Sequence, residues 1–76
     1  MSALESIVAL TPEQIAEMPY EQARDTLTEI VEALDDASLP LTTLMSLWKV
    51  GELVAAACTA HLEAAATALD DGLPTG

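Results

Sequence analysis

An all-α fold is predicted by three observations. The chain is 51% hydrophobic with no Phe, one Trp and one Tyr, so its apolar content is mostly alanine and aliphatic residues that favour helix over strand. Over two long segments the apolar residues recur at alternating intervals of 3 and 4, the seam of a coiled coil rather than the alternation of a strand. Pro12, Pro19 and Pro40 stand where helices can begin and none falls inside a periodic segment. Together these predict a two-helix antiparallel hairpin, coiled-coil-like, with a short N-terminal helix. Seventy-six residues make one small domain, near the size at which a single core is marginal and a partner is often needed.

Residues 1–18 read as a lead-in. Within it Thr11-Pro12-Glu13-Gln14 offers a cap residue, proline at the first helical position and a glutamine three residues past the cap. The first long helix is expected over 19–36, with Tyr20, Ala23, Leu27, Ile30 and Leu34 as its seam. Residues 37–40 form the turn, in which the Ser38 hydroxyl is placed to cap backbone donors of the next helix. The second helix is expected over 41–70, with Leu41, Leu44, Trp48, Gly51, Ala55 and Cys58 as its seam and Leu62, Ala65 and Leu69 extending it. Trp48 is the expected anchor against Tyr20, Ala23, Leu27 or Ile30, and Gly51 makes room for the neighbouring helix. Residues 71–76 read as a frayed end.

A second stripe on that helix, Leu47, Val50, Val54, Ala57 and His61, lies about 100° around from the first. The two stripes make the helix apolar over half its surface, and the first helix is about 18 Å shorter. Part of the wide face is therefore left for the lead-in or for another chain, and the second stripe is the expected partner-binding surface.

Charge narrows the function. Thirteen acidic residues against two basic ones give a net charge of −11, which opposes direct contact with nucleic acid or with an anionic membrane surface. A basic protein partner suits this balance, and a second copy of the chain is another candidate. The single cysteine, Cys58, cannot form an internal disulfide, and the sequence shows no basic leader and no uninterrupted apolar run of membrane-spanning length. A cytoplasmic location is expected.

No active site is legible. Glu21, Asp25, Glu29, Glu32 and Asp36 form a ribbon along one face of a helix, and a straight helix cannot close ligands around a metal from several directions. His61 and Cys58 make a lone Cys-x-x-His pair without two further ligands. Ser38 invites comparison with the modified serine of acyl carriers. However, Ala37 separates it from the acid, Pro40 keeps a helix from running directly on from the serine, and a carrier needs more helices than this chain supplies. No catalytic residue, cofactor or metal is assigned.

The stretch YEQARDTLTEIVEALDDASLPL followed by LMSLWKVGELVAAACTAHLEAA resembles the small subunit of exodeoxyribonuclease VII. The likeness runs over about residues 19–66. It is carried by Tyr20, Glu21, Ala23, Leu27, Ile30, Val31 and Leu34, then Leu39-Pro40-Leu41, Leu47-Trp48, Gly51-Glu52-Leu53, Cys58 and Leu62. Ala37 stands where the family usually has glycine, Thr42 and Thr43 where acids are common, and Lys49 is the only basic residue in a helix usually dotted with them. The resemblance implies a non-catalytic helical hairpin that docks on a large subunit. In that complex the large subunit does the chemistry, degrading single-stranded DNA from both ends into oligonucleotides. A rival reading, a secreted WXG-type hairpin, requires Trp-x-Gly at the turn; here two residues separate Trp48 from Gly51, and both lie inside the second helix.

Overall fold

The computed structural model describes residues 3–72, which form four helices and, among those residues, no strand. In chain order they are α1 (Ala3–Val8), α2 (Pro12–Ala16), α3 (Tyr20–Leu34) and α4 (Leu41–Gly72). The lead-in thus holds two short helices where the sequence suggested one. α2 begins as its residues dictate: the Thr11 hydroxyl accepts from the Gln14 N–H at 3.2 Å and the Gln14 side chain accepts from the Thr11 N–H at 3.0 Å. Pro19, extended at φ −61° and ψ 155°, precedes α3 and lends it no side-chain cap.

α3 and α4 run antiparallel. Tyr20 at the start of α3 lies edge-on to His61 far along α4, with ring centroids 6.3 Å apart. Ile30 sits against Gly51, and Leu34 at the end of α3 shares a hollow with Leu44 and Met45 in the first turns of α4. Gly51 is needed for this approach: a Cβ there would lie 3.2 Å from Ile30 Cγ2, tighter than ordinary contact.

The corner spans 35–40 rather than 37–40, and its chemistry differs from the expected cap. Ser38 donates to Asp36 twice, through its N–H at 2.9 Å and its hydroxyl at 2.6 Å to the same Oδ1. The serine therefore closes a turn onto the acid before it instead of capping α4. These two bonds favour the carboxylate and hold Asp36 below its ordinary pKa.

At the far end α4 continues through Asp70 and Asp71 to Gly72, past the expected stop, although two acids in a last turn oppose the helix dipole. From residue 73 on, the expected frayed end lies outside the described residues.

One core joins all four helices: Ile7 of α1, Ile15 of α2, Met18 of the link, Ala23 and Ile30 of α3, and Leu47, Val50, Val54 and Cys58 of α4. No polar or charged residue is buried among the described residues, so apolar burial holds the assembly together. α4 is also long and apolar enough to cross a membrane by length and composition: within the 31 residues Leu41–Asp71 an 18-residue stretch reaches a mean hydropathy of 1.2. This corrects the expectation drawn from uninterrupted runs, because alanines and leucines spread along the helix raise the mean. Lys49, Glu52 and Glu63 interrupt the segment, and a charge at bilayer depth costs at least about 2.5 kcal/mol. Length and composition alone therefore do not place α4 in a membrane.

Candidate functional site

α4 presents two apolar faces, and the structure assigns them differently from the spacing. Leu47 and Val54 are 0% exposed and Val50 is buried, packed with α1, α2 and α3. Ala57 and His61 are half-buried on the same side. The stripe expected to meet a partner is thus covered by the chain itself. The expected intrachain anchor is not: Trp48 is 59% exposed and Leu41 71%.

The remaining seam residues divide. Ala23, Ile30, Gly51 and Cys58 are buried, while Tyr20, Leu27, Leu34, Leu44 and Ala55 are half-buried. The physical reason for the rotation is the lead-in. Ile7, Ile15 and Met18 carry a third wall of the core, and they pack on the flank of α4 away from Trp48. α4 turns its Leu47–Val54 line into the angle between that wall and α3, leaving Trp48 outside.

His61 shows how the lead-in is held. Its Nε2 lies 2.8 Å from the Met18 carbonyl oxygen, which can only accept, so Nε2 carries the proton. With Tyr20 edge-on to the same imidazole, the link between α2 and α3 is pinned to the middle of α4. His61 therefore acts inside the fold.

Outside the core, Trp48 is tied within its own helix, its indole N–H donating to Glu52 Oε1 at 2.9 Å. The indole borders an apolar groove between α3 and α4, lined with it by Leu27, Ile30, Val31, Leu34 and Ala55. A second hollow, mostly on α4 and lined by Thr42, Leu44, Met45, Ser46 and Lys49, shares Leu34 and Trp48 with it. Val31 is 58% exposed and Met45 60%. Neither residue was on a predicted seam; the available signal was that each is a large apolar residue beside a seam residue, Ile30 and Leu44.

Beyond His61 every residue from 62 to 71 is exposed, Leu62 and Leu69 included, because α3 begins opposite His61 and leaves the last three turns of α4 uncovered.

The acidic ribbon of α3 and the corner after it is a solvated face. Glu21, Asp25, Glu29, Glu32 and Asp36 are all exposed, and Asp25 meets Arg24 in an exposed pair at 3.7 Å. Among the described residues no three His, Cys, Asp or Glu side chains converge where they could hold a metal ion. Cys58 is a free, buried thiol within the core.

Fold and surfaces together define an all-α protein whose distinguishing features are an apolar groove and an uncovered helix end rather than a pocket of reactive groups. The model of the exonuclease VII small subunit family matches residues 20–70, both long helices and the corner between them. An exodeoxyribonuclease 7 small subunit of Mycobacterium avium is 38% identical over 72 residues, covering 95% of this chain and 85% of that protein. One of Nocardia farcinica is 37% identical over 60 residues, covering 79% and 77%. One of Streptomyces avermitilis is 43% identical over 54 residues, covering 71% and 68%. No solved structure matches the chain. The chain belongs to the exonuclease VII small subunit family.

Proposed function

We propose that the chain is the non-catalytic small subunit of an exodeoxyribonuclease VII, assembling in the cytoplasm with a large nuclease subunit. The complex degrades single-stranded DNA from both ends into oligonucleotides. Membership of the family across both long helices carries the reading. The surfaces are in keeping with it. Hydrolysis of a phosphodiester requires a metal site or a poised acid and base in one pocket. The exposed acids here are strung along a helix instead. A net charge of −11 likewise leaves DNA contact to the partner.

Co-expression with the large subunit encoded in the same genome tests the proposal. The two proteins are expected to co-purify, single-strand exonuclease activity to follow the complex, and the small chain alone to be inactive with or without divalent metal. Activity that stays with the purified small chain, or a large subunit that never retains it, overturns the reading.

A further inference from the structure

We infer that the open Trp48 side of the hairpin is a self-association surface, on which a second copy of this chain closes a four-helix bundle, α3 of each copy lying against α4 of the other. The inference goes beyond assembly with a large subunit and does not depend on it.

Charge names the occupant. The chain has only two Lys or Arg residues, and both border this face. Lys49 lines the hollow beside Trp48. Arg24, exposed, stands seven residues before Val31 and so within about 20° of its line on α3. Glu52 lines the groove and the exposed Asp35 follows Leu34, so two cations and two carboxylates share the surface. The face is therefore near neutral in a chain of net charge −11, and no other side holds a Lys or Arg. A basic partner would find stronger attraction along the acidic ribbon, whereas a second acidic copy can approach only here.

Geometry says how the copies sit. Within one chain α3 and α4 are antiparallel, with Ile30 level with Gly51 and Tyr20 level with His61. A two-fold axis along the groove lays α3 of one copy beside α4 of the other, again antiparallel, as neighbours are in an up-and-down bundle. Trp48 then falls against Val31 of the second copy, two exposed apolar side chains covering each other. Lys49 comes within about one helical turn of Asp35 of the second copy, and Arg24 within about one and a half turns of its Glu52, spans that long side chains cover. Such rim pairs set register more than affinity. The lead-ins stay outside, on the flanks away from Trp48.

The same placement covers the bare end of α4. Leu62, Ala66 and Leu69, all exposed, lie past the start of α3 on the arc of α4 between the Gly51 and Trp48 lines. With both corners at one end of the bundle, the two α4 ends run side by side and bury these residues against each other. Turning the second copy end for end also matches charges, but leaves Leu62 and Leu69 bare at opposite ends.

Sedimentation equilibrium of the full chain, without any other protein, tests this. A mass that rises with concentration from one chain to two is expected, and the net charge on each copy keeps the dimer weak enough to dissociate on dilution. Val31→Glu and Trp48→Ala, each checked for native helical signal, are expected to raise the dissociation constant at least about tenfold. Leu53→Glu, on the side of α4 that faces α2, adds the same charge as Val31→Glu and is expected to leave it unchanged. In a Cys58→Ala background, a short bis-maleimide is expected to link two chains through Leu69→Cys, and not through Ala68→Cys, about 100° around the helix. A chain that stays single at millimolar concentration overturns the inference. So does a dimer that Val31→Glu and Trp48→Ala leave intact, or that Leu53→Glu weakens as much. A dimer sensitive to both groove variants but not linked through Leu69→Cys refutes the placement with both corners at one end.

Discussion

The two apolar faces of α4 have similar compositions and opposite fates. On one, Leu47, Val50 and Val54 are sealed between α3 and the lead-in. On the other, Leu41, Met45 and Trp48 remain open to solvent. The open face carries the larger side chain, so size did not decide which turned inward. What decided was how many walls each face could find. The Val54 face meets three elements, counting Ile7, Ile15 and Met18 from the lead-in and Ala23 and Ile30 from α3, while the Trp48 face borders α3 alone.

The largest expected effect separates the faces directly. Val54→Glu places a carboxylate where the side chain is fully enclosed, a cost of several kcal/mol and enough to abolish the helical signal of a domain this small. Trp48→Ala removes an exposed indole and its exposed bond to Glu52, and should cost about 1 kcal/mol or less. Circular dichroism melts of the two variants decide the matter. A Trp48→Ala protein less stable than Val54→Glu would show that the faces are reversed.

Gly51 probes the closest approach of α3 and α4. Because even a methyl group meets Ile30 at 3.2 Å, Gly51→Leu should cost about 1–3 kcal/mol through overpacking, and pairing it with Ile30→Ala should recover part of the loss. A denaturant double-mutant cycle without coupling would place the contact elsewhere.

A smaller effect is expected at the lead-in wall. His61→Ala removes the bond to the Met18 carbonyl, worth about 1 kcal/mol. Amides of α1 and α2 should then exchange hydrogen faster while those in the middle of α3 hold. Uniform acceleration would mean that the lead-in is not a separable wall.

The smallest effect lies at the corner, where neither face is involved. Asp36 is held below its ordinary pKa by Ser38, so its contribution to stability is present above the unfolded-state pKa and fades as pH falls through the lower folded value. In Ser38→Ala the Asp36 titration midpoint, followed by carbon NMR, should move up toward that of an unrestrained aspartate. A fixed midpoint would remove the Ser38 hydroxyl bond, though not the backbone bond that alanine keeps, from the account of the corner.

Much of this molecule was legible in its residues. The capping box of Thr11 and Gln14 is closed as its spacing requires, and all-α character comes from composition and periodicity. α1 was not read from the sequence, although Ser2-Ala3-Leu4-Glu5 has the spacing of a capping box, because a six-residue helix is too short to show a periodic stripe. The Ser38 turn was ambiguous because a serine ahead of a proline can serve either the next helix or the acid two residues back, and only geometry tells which.

The site was less legible, for a different reason. Apolar residues spaced by 3 and 4 define an angle about a helix's own axis, and that angle is a property of the sequence alone. Composition, caps, the line of each stripe and the closeness allowed by Gly51 all belong to that level. Which stripe turned inward was a tertiary decision. It depended on Ile7, Ile15 and Met18 arriving from the other end of the chain to form a third wall, and on Ile30 meeting Gly51 across the helix pair. Burial is shared among all the walls a face can reach, and no periodicity within one helix records where the others stand.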